Sequence, residues 1–259
     1  MLLIVHIQNS HQISLPSSHQ RKRCLPDFFD LLDSPSIVIL QVEFFFQTWV
    51  CRTDCRRLSS RISQRLPKVE IDASRYDGRD NKLHLNEIPI PEPKPHELLV
   101  KMACASLCHS DLMMFEPNDQ GLIMTKEPVT IGHEGAGYVA KVGSGVSGFK
   151  EGDPVGFIPA KDCCYECEPC KTSHNSWCVT GKINMHGFSV NGYFQEYVCI
   201  DAKAAMVLPE GLDPVEAAPL FCAGVTSYHG VDDCELKPGQ WMAVIGVGGL
   251  GHLGVQYAK

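Results

Sequence analysis

WMAVIGVGGLGHLGVQYAK, residues 241–259, joins an apolar run to a glycine-rich turn and then to a second apolar pattern. WMAVIGV reads as a buried strand. Gly246, Gly248 and Gly251 give the spacing GxGxxG, with Gly249 and Leu250 inside the turn, and Leu250, Leu253 and Val255 begin a helix with one apolar face. Glycines permit a tight turn and let the backbone approach a pyrophosphate, which the following helix N-terminus attracts. The stretch therefore reads as the opening of a dinucleotide-binding fold. A lone GxGxxG is a weak signal, so its meaning depends on what precedes it.

The fingerprint stops early. An acidic residue that holds the adenosine ribose belongs about 20 residues past the glycines, and eight residues follow Gly251. One strand and one helix cannot bury their apolar faces alone, so Val244, Ile245 and Val247 are expected on an unprotected sheet edge.

The 259 residues are 44% apolar and 20% charged, an ordinary globular composition with room for one large domain or two modest ones. The net charge of −7 argues against nucleic acid or an anionic membrane as partner, since both need clustered Lys and Arg. Charge is unevenly spread: residues 1–66 hold eight Lys and Arg against five Asp and Glu, the remainder 15 against 25. The shift marks a boundary near QRLPKVE (64–70). Upstream, IVILQVEFFFQTWV (37–50) is interrupted by Gln41, Glu43 and Gln47 and falls short of the roughly 20 apolar residues of a membrane span. MLLIVHIQNSHQ (1–12) lacks the basic start of a secretory signal. CRTDCRRLSSRISQRLP (51–67) is Arg- and Ser-rich like a transit peptide, yet internal and preceded by Asp27, Asp30, Asp33 and Glu43. Residues 1–66 are expected to be a poorly ordered extension of a cytoplasmic protein, with a mitochondrial transit segment as the alternative.

Downstream, HELLVKMACASLC (96–108) and EGAGYVAKVGSGVSGF (134–149) have β-rich centres punctuated by glycine, and DPVGFIP (153–159) and GYFQEYVCI (192–200) read as short strands. A β-barrel-like domain with few helices is expected over 67–222.

Thirteen cysteines stand out. Without a secretory signal, disulfides are a poor default and metal ligation is the better question. CYECEPCKTSHNSWC places Cys164, Cys167, Cys170 and Cys178 at CxxCxxCx7C. Four thiolates within so short a loop satisfy one tetrahedral Zn2+ with no open position, a structural site. The iron–sulfur spacing CxxCxxCx3CP is not met. His174 reads as solvated, and Cys163 beside Cys164 leaves a one-residue slip of register open.

A second constellation is dispersed: CHSD (108–111), GHEGAGYVAKVGSGVSGFKEGDPVG (132–156) and CAGVTSY (222–228). In this order and around the four-cysteine segment, the chain resembles the zinc-dependent alcohol dehydrogenases of the medium-chain dehydrogenase/reductase superfamily, of the yeast and fungal type, from about Pro67 to Lys259. The resemblance implies a mixed α/β protein: a GroES-like β-barrel catalytic domain with a zinc lobe, then at 223–259 the start of a Rossmann NAD(P)-binding domain, one strand and one helix. It implies two zinc ions, NAD or NADP, an alcohol or aldehyde substrate, a homo-oligomeric habit, and hydride transfer from a primary or secondary alcohol ionised on zinc. A zinc ion with one open position lowers the pKa of bound water to about 7, and an alcohol responds in the same sense.

By this resemblance Cys108, His133 and Cys222 hold the catalytic zinc. Glu134 is a carboxylate that approaches the metal during ligand exchange or, alternatively, a local charge in the glycine-rich turn. Ser110 takes the alcohol proton. Asp111 orients the histidine ligand, while Ser110 and Asp111 also suit a helix start. His109 meets the cofactor pyrophosphate and Thr226 the nicotinamide. Glu116 stands where the yeast type places a relay histidine, and Met113 and Met114 suggest a more apolar pocket. A catalytically inactive zinc-binding fragment is the alternative function, because the nucleotide fingerprint lacks its continuation.

Overall fold

The computed structural model describes residues 2–6, 37–41, 70–76, 83–115, 128–172, 178–180 and 183–259, the first three segments as backbone strands. Two compact units emerge: Thr48–Cys222, and a second that combines Met1–Gln47 with Ala223–Lys259.

In the larger unit the long runs read from the sequence become the centre of a five-stranded antiparallel sheet. In sequence order the strands among the described residues are β1 (Leu2–His6), β2 (Ile37–Gln41), β3 (Glu70–Tyr76), β4 (Leu83–Pro89), β5 (Glu97–Ser106), β6 (Val129–Thr130), β7 (Glu134–Val142), β8 (Pro154–Phe157), β9 (Ala160–Lys161), β10 (Asn184–Met185), β11 (Tyr197–Asp201), β12 (Ala205–Val207) and β13 (Trp241–Ile245). The five-stranded sheet runs β11-β5-β7-β8-β12, a second sheet runs β4-β3-β6, and β9 and β10 form a short pair. Leu98, Val100, Val139, Val155, Phe157, Tyr193, Val198 and Ile200 make the main core, in which Phe157 and Tyr193 meet edge to face at 4.9 Å. Fully burying one such side chain contributes about 1.5–3 kcal/mol. Register shifts between Leu99 and Val100 and between Met102 and Cys104 bend β5, as bulges do.

The β5–β7 register sets up the site. Ser106 pairs with Glu134, so Cys108, two residues past the end of β5, and His133, one residue before β7, emerge side by side.

In the smaller unit, β13 has a neighbour on each side: β1 antiparallel, with Leu3 opposite Val244, and β2 parallel, with Ile39 opposite Ala243. The unprotected edge expected for Val244 and Ile245 is therefore not observed; LLIVH and IVILQ from the N-terminal segment cover both sides. Helices Ala223–Asp232 and Gly249–Tyr257 pack together, and Met242, Val244 and Ala258 form the core with Val231, Leu236 and Val255. No helix among the described residues is long and apolar enough to cross a membrane.

Candidate metal centres

Cys108 precedes a single helical turn, α1 (His109–Leu112), and has extended backbone. The third residue of that turn, Asp111, is fully buried and splits its carboxylate between two tasks. Oδ2 accepts the Cys108 N–H at 2.9 Å, and Oδ1 lies 2.9 Å from His133 Nδ1. An ionised carboxylate only accepts, so the proton sits on Nδ1 and the lone pair of His133 is left on Nε2. Capping and histidine orientation, two readings of CHSD, are thus performed by the same side chain. Phe188 lies against the other side of the imidazole, ring centroids 4.9 Å apart, within an apolar cluster of Met114, Val129 and Ile131.

Cys222 arrives from far along the chain. Asp213 caps the short helix Pro214–Ala217 through the Val215 N–H at 2.8 Å, a 310 turn spans Ala218–Phe221, and Cys222 follows. Phe221 lies so close to Gly156 of β8 that a Cβ there would overlap its ring. Only glycine lets the phenyl ring reach the sheet at this point, and the ring anchors the approach to Cys222.

Donor atoms of Cys108, His133, Glu134 and Cys222 all lie within 4.8 Å of one another. The Ser106 hydroxyl donates to Glu134 Oε2 at 2.5 Å. Burial pushes the Glu134 carboxyl up to about 7, against the pull of Ser106. Cys108 is held down to about 3, first by its hydrogen bond with Cys222 and then by His133. The hydrogen bond to Cys108, together with burial, drives the Cys222 thiol up. Burial opposes a charge on His133, but Asp111 and Cys108 outweigh it and raise the imidazole to about 10. The pocket thus favours a thiolate with positive charge beside it, a charge that a metal ion at Nε2 would supply in place of the second imidazole proton. Two sulfurs, one available imidazole nitrogen and an adjacent carboxylate suit zinc with a position left over.

Ser110 and His109 are half-buried on α1. Thr226 is exposed on the helix Ala223–Asp232 of the smaller unit. Gly246 has φ of 86°, Gly248 precedes the helix Gly249–Tyr257, which contains Gly249, Leu250 and Gly251, and a Cβ on Gly251 would overlap the Gly246 carbonyl. The third glycine of the fingerprint therefore serves close packing of helix on strand, as the motif requires. Leu250 accepts from the Ser227 hydroxyl through its carbonyl at 3.0 Å. Glu116 and His174 lie outside the described residues.

The second group gathers Cys164, Cys167, Cys170 and Cys178, their sulfurs within 4.8 Å of one another. Cys164 Sγ and Cys170 Sγ are 3.9 Å apart. A tetrahedral zinc with Zn–S of about 2.3 Å sets its sulfurs about 3.8 Å apart, so the donor set fits. Backbone N–H groups point at the sulfurs, from Cys167 to Cys164 at 3.3 Å and from Cys164 to Cys178 at 3.4 Å. The Thr180 hydroxyl and the Cys164 N–H hold Cys178 down to about 6, while desolvation and the neighbouring Cys167 push Cys170 up to about 12. Four crowded thiols resist ionising together unless a cation joins them. Cys163 is buried outside the group, so the CxxC register starting at Cys164 is the one the fold adopts.

Sequence reasoning did not find Phe188, the Gly156–Phe221 contact, or Asp201, which accepts from the Asp162 N–H and the Tyr165 hydroxyl. Each acts through a tertiary contact that no local motif encodes.

Residues 94–210 match the alcohol dehydrogenase GroES-like domain. The chain is 41% identical over 177 residues to an alcohol dehydrogenase of Rhizobium meliloti (strain 1021) and 40% identical over 176 residues to one of Moraxella sp. (strain TAE123), in each case covering 68% of this chain and 51% of the relative. It thus spans about half the length of these curated relatives. Among solved structures it is similar to the alcohol dehydrogenase of Aeropyrum pernix, with TM-score 0.56 and 30% identity over 62% of this chain and 47% of that one. A cinnamyl alcohol dehydrogenase from Sorghum bicolor gives TM-score 0.63 and 30% identity over 73% and 55%. Through residues 94–210 the chain carries the GroES-like domain of the zinc-type alcohol dehydrogenases.

Proposed function

We propose that this chain serves hydride transfer between a primary or secondary alcohol and NAD or NADP. The observation that carries the reading is the convergence of Cys108, His133, Cys222 and Glu134 on one point, with Asp111 fixing the imidazole. Cys108 Sγ, His133 Nε2 and Cys222 Sγ would hold a catalytic zinc, which supplies Lewis acidity that makes an alcohol proton easier to remove. Asp111 retains the Nδ1 proton, keeping Nε2 free. Ser110, on the turn directly after Cys108, receives the hydroxyl proton and passes it towards solvent. Glu134, partly protonated near neutral pH and tethered by Ser106, offers an alternative donor when substrate and product exchange. Phe188 and its apolar neighbours shield the imidazole from water.

The four cysteines at 164–178 hold a second, structural zinc with no chemical role. Gly246, Gly248, Gly249, Leu250 and Gly251 receive the cofactor pyrophosphate, with His109 as a further contact and Thr226 towards the nicotinamide. Small alcohols and aldehydes are the partners, and the family's homo-oligomeric assembly is the expected quaternary state.

The test is appearance of reduced nicotinamide when the zinc-loaded chain is given NAD+ or NADP+ and a series of primary and secondary alcohols, with His133→Ala as control. Turnover abolished by His133→Ala supports the reading. Retention of two zinc ions without turnover supports instead a zinc-binding role separate from dehydrogenation.

A further inference from the structure

The turn that carries the first cysteines of the four-sulfur group is held in an unusual backbone conformation. Asp162 (φ 59°) and Tyr165 (φ 55°) bracket Cys163 and Cys164 in the left-handed region, which non-glycine residues occupy only where the surroundings hold them. One side chain holds both. Asp201, at the end of β11 and 2% exposed, receives the Asp162 N–H at 3.0 Å and the Tyr165 hydroxyl at 3.1 Å, both on Oδ2. Lys203, two residues on, places its ammonium 4.9 Å from the Tyr165 ring centroid. The Asp162 carboxylate accepts from the Asn184 amide at 2.8 Å. The exposed His96 faces the other Asp201 oxygen at 3.4 Å.

We infer that Asp201 is the positioning residue of the four-cysteine site: through Oδ2 it fixes the 162–165 turn, so that Cys164 and Cys167 meet Cys170 and Cys178 at the spacing zinc needs. The inference rests on reading that group as a zinc site. The role is one of shape and not of charge, since a carboxylate does nothing to favour nearby thiolates. Both bonds converge on one oxygen, and an amide keeps an oxygen there. Asp201→Asn should therefore preserve the site, Asp201→Leu should remove both bonds, and Tyr165→Phe should remove one.

The experiment is alkylation of the zinc-loaded full chain, read at each cysteine by peptide mass spectrometry. Asp201→Leu is expected to label Cys164, Cys167, Cys170 and Cys178 about tenfold faster, in line with the loss of a supporting contact to a metal site. Tyr165→Phe shifts them in the same direction by less, and Asp201→Asn labels at the wild-type rate. Cys104, Cys108, Cys199 and Cys222 stay unchanged throughout. Wild-type labelling of the four cysteines in both Asp201→Leu and Tyr165→Phe overturns the inference. So does a parallel rise at Cys104 and Cys199, which would mean general loosening of the five-stranded sheet. If Asp201→Leu does not fold, Tyr165→Phe decides alone. Free labelling of the four cysteines in the zinc-loaded wild type overturns the zinc reading of the group, and this inference with it.

Discussion

Asp111→Asn is the substitution whose consequence the site geometry specifies most closely. The carboxylate accepts twice, from Cys108 N–H and from His133 Nδ1–H, each at 2.9 Å, and an amide has one oxygen. If the Asn oxygen stays on the Cys108 N–H, its NH2 group faces Nδ1. The imidazole must then carry its proton on Nε2, the nitrogen needed for the metal. If the oxygen stays on His133, the NH2 opposes the Cys108 N–H at the start of α1. The first arrangement puts a proton on the nitrogen the metal needs, and the second sets two buried donors against each other, at a cost of about 1–3 kcal/mol. Loss of a carboxylate behind a metal-bound histidine typically weakens metal binding 10–100-fold, about 1.4–2.7 kcal/mol, so two independent routes agree. Equilibrating wild type and Asp111→Asn against graded chelator and counting retained zinc tests this. The variant should surrender one zinc at roughly 10–100-fold lower chelator strength while the zinc of the four-cysteine group is kept. Equal retention of both ions by the variant would refute the tautomer reasoning.

Gly156→Ala should push Phe221 off β8, lowering stability by about 1–3 kcal/mol as overpacking does and slackening Cys222; a thermal transition at the wild-type temperature would show that the ring has somewhere else to go. Glu97 is buried against Lys161 at 2.5 Å, and although burial alone would raise its carboxyl, Lys161 and the Lys94 N–H hold it below the usual 4.5. Its stabilising contribution is present above pH 4.5 and is lost as pH falls through the lower folded value. Glu97→Gln, which strands the lysine, should cost about 3–5 kcal/mol at pH 7 and progressively less in acid, read as urea midpoints at pH 7 and pH 3; a gap that does not narrow in acid contradicts the assignment. Removing residues 1–47 should expose both edges of β13 and promote association through unpaired strand edges, so light scattering from the shortened chain should rise, and a monodisperse product would count against the pairing.

The parts of the fold and site that were legible in the sequence are those whose geometry is local or carried by the family resemblance. CxxCxxC dictates its own knuckle because three sulfurs within seven residues have few ways to converge, and the structure chose Cys164 over Cys163 as that spacing favours. The glycines at 246, 248 and 251 were legible for the same reason: one turn, one strand, one helix. Cys108, His133 and Cys222 span more than a hundred positions, and no periodicity connects them. Only the resemblance placed them together, and the physical cause, the β5–β7 register that sets Ser106 against Glu134, became visible with the sheet. What the sequence hid follows a rule. Phe221 on Gly156 and Asp201 under the 162–165 turn are contacts between segments whose separation is set by the fold of the larger unit, so an aspartate ending a strand looks like any other. The pairing of β13 with LLIVH and IVILQ was hidden for a related reason: a short apolar run announces a strand but not its neighbour. Both sulfur groups thus combine donors that spacing and family pattern reveal with tertiary contacts that only the fold supplies.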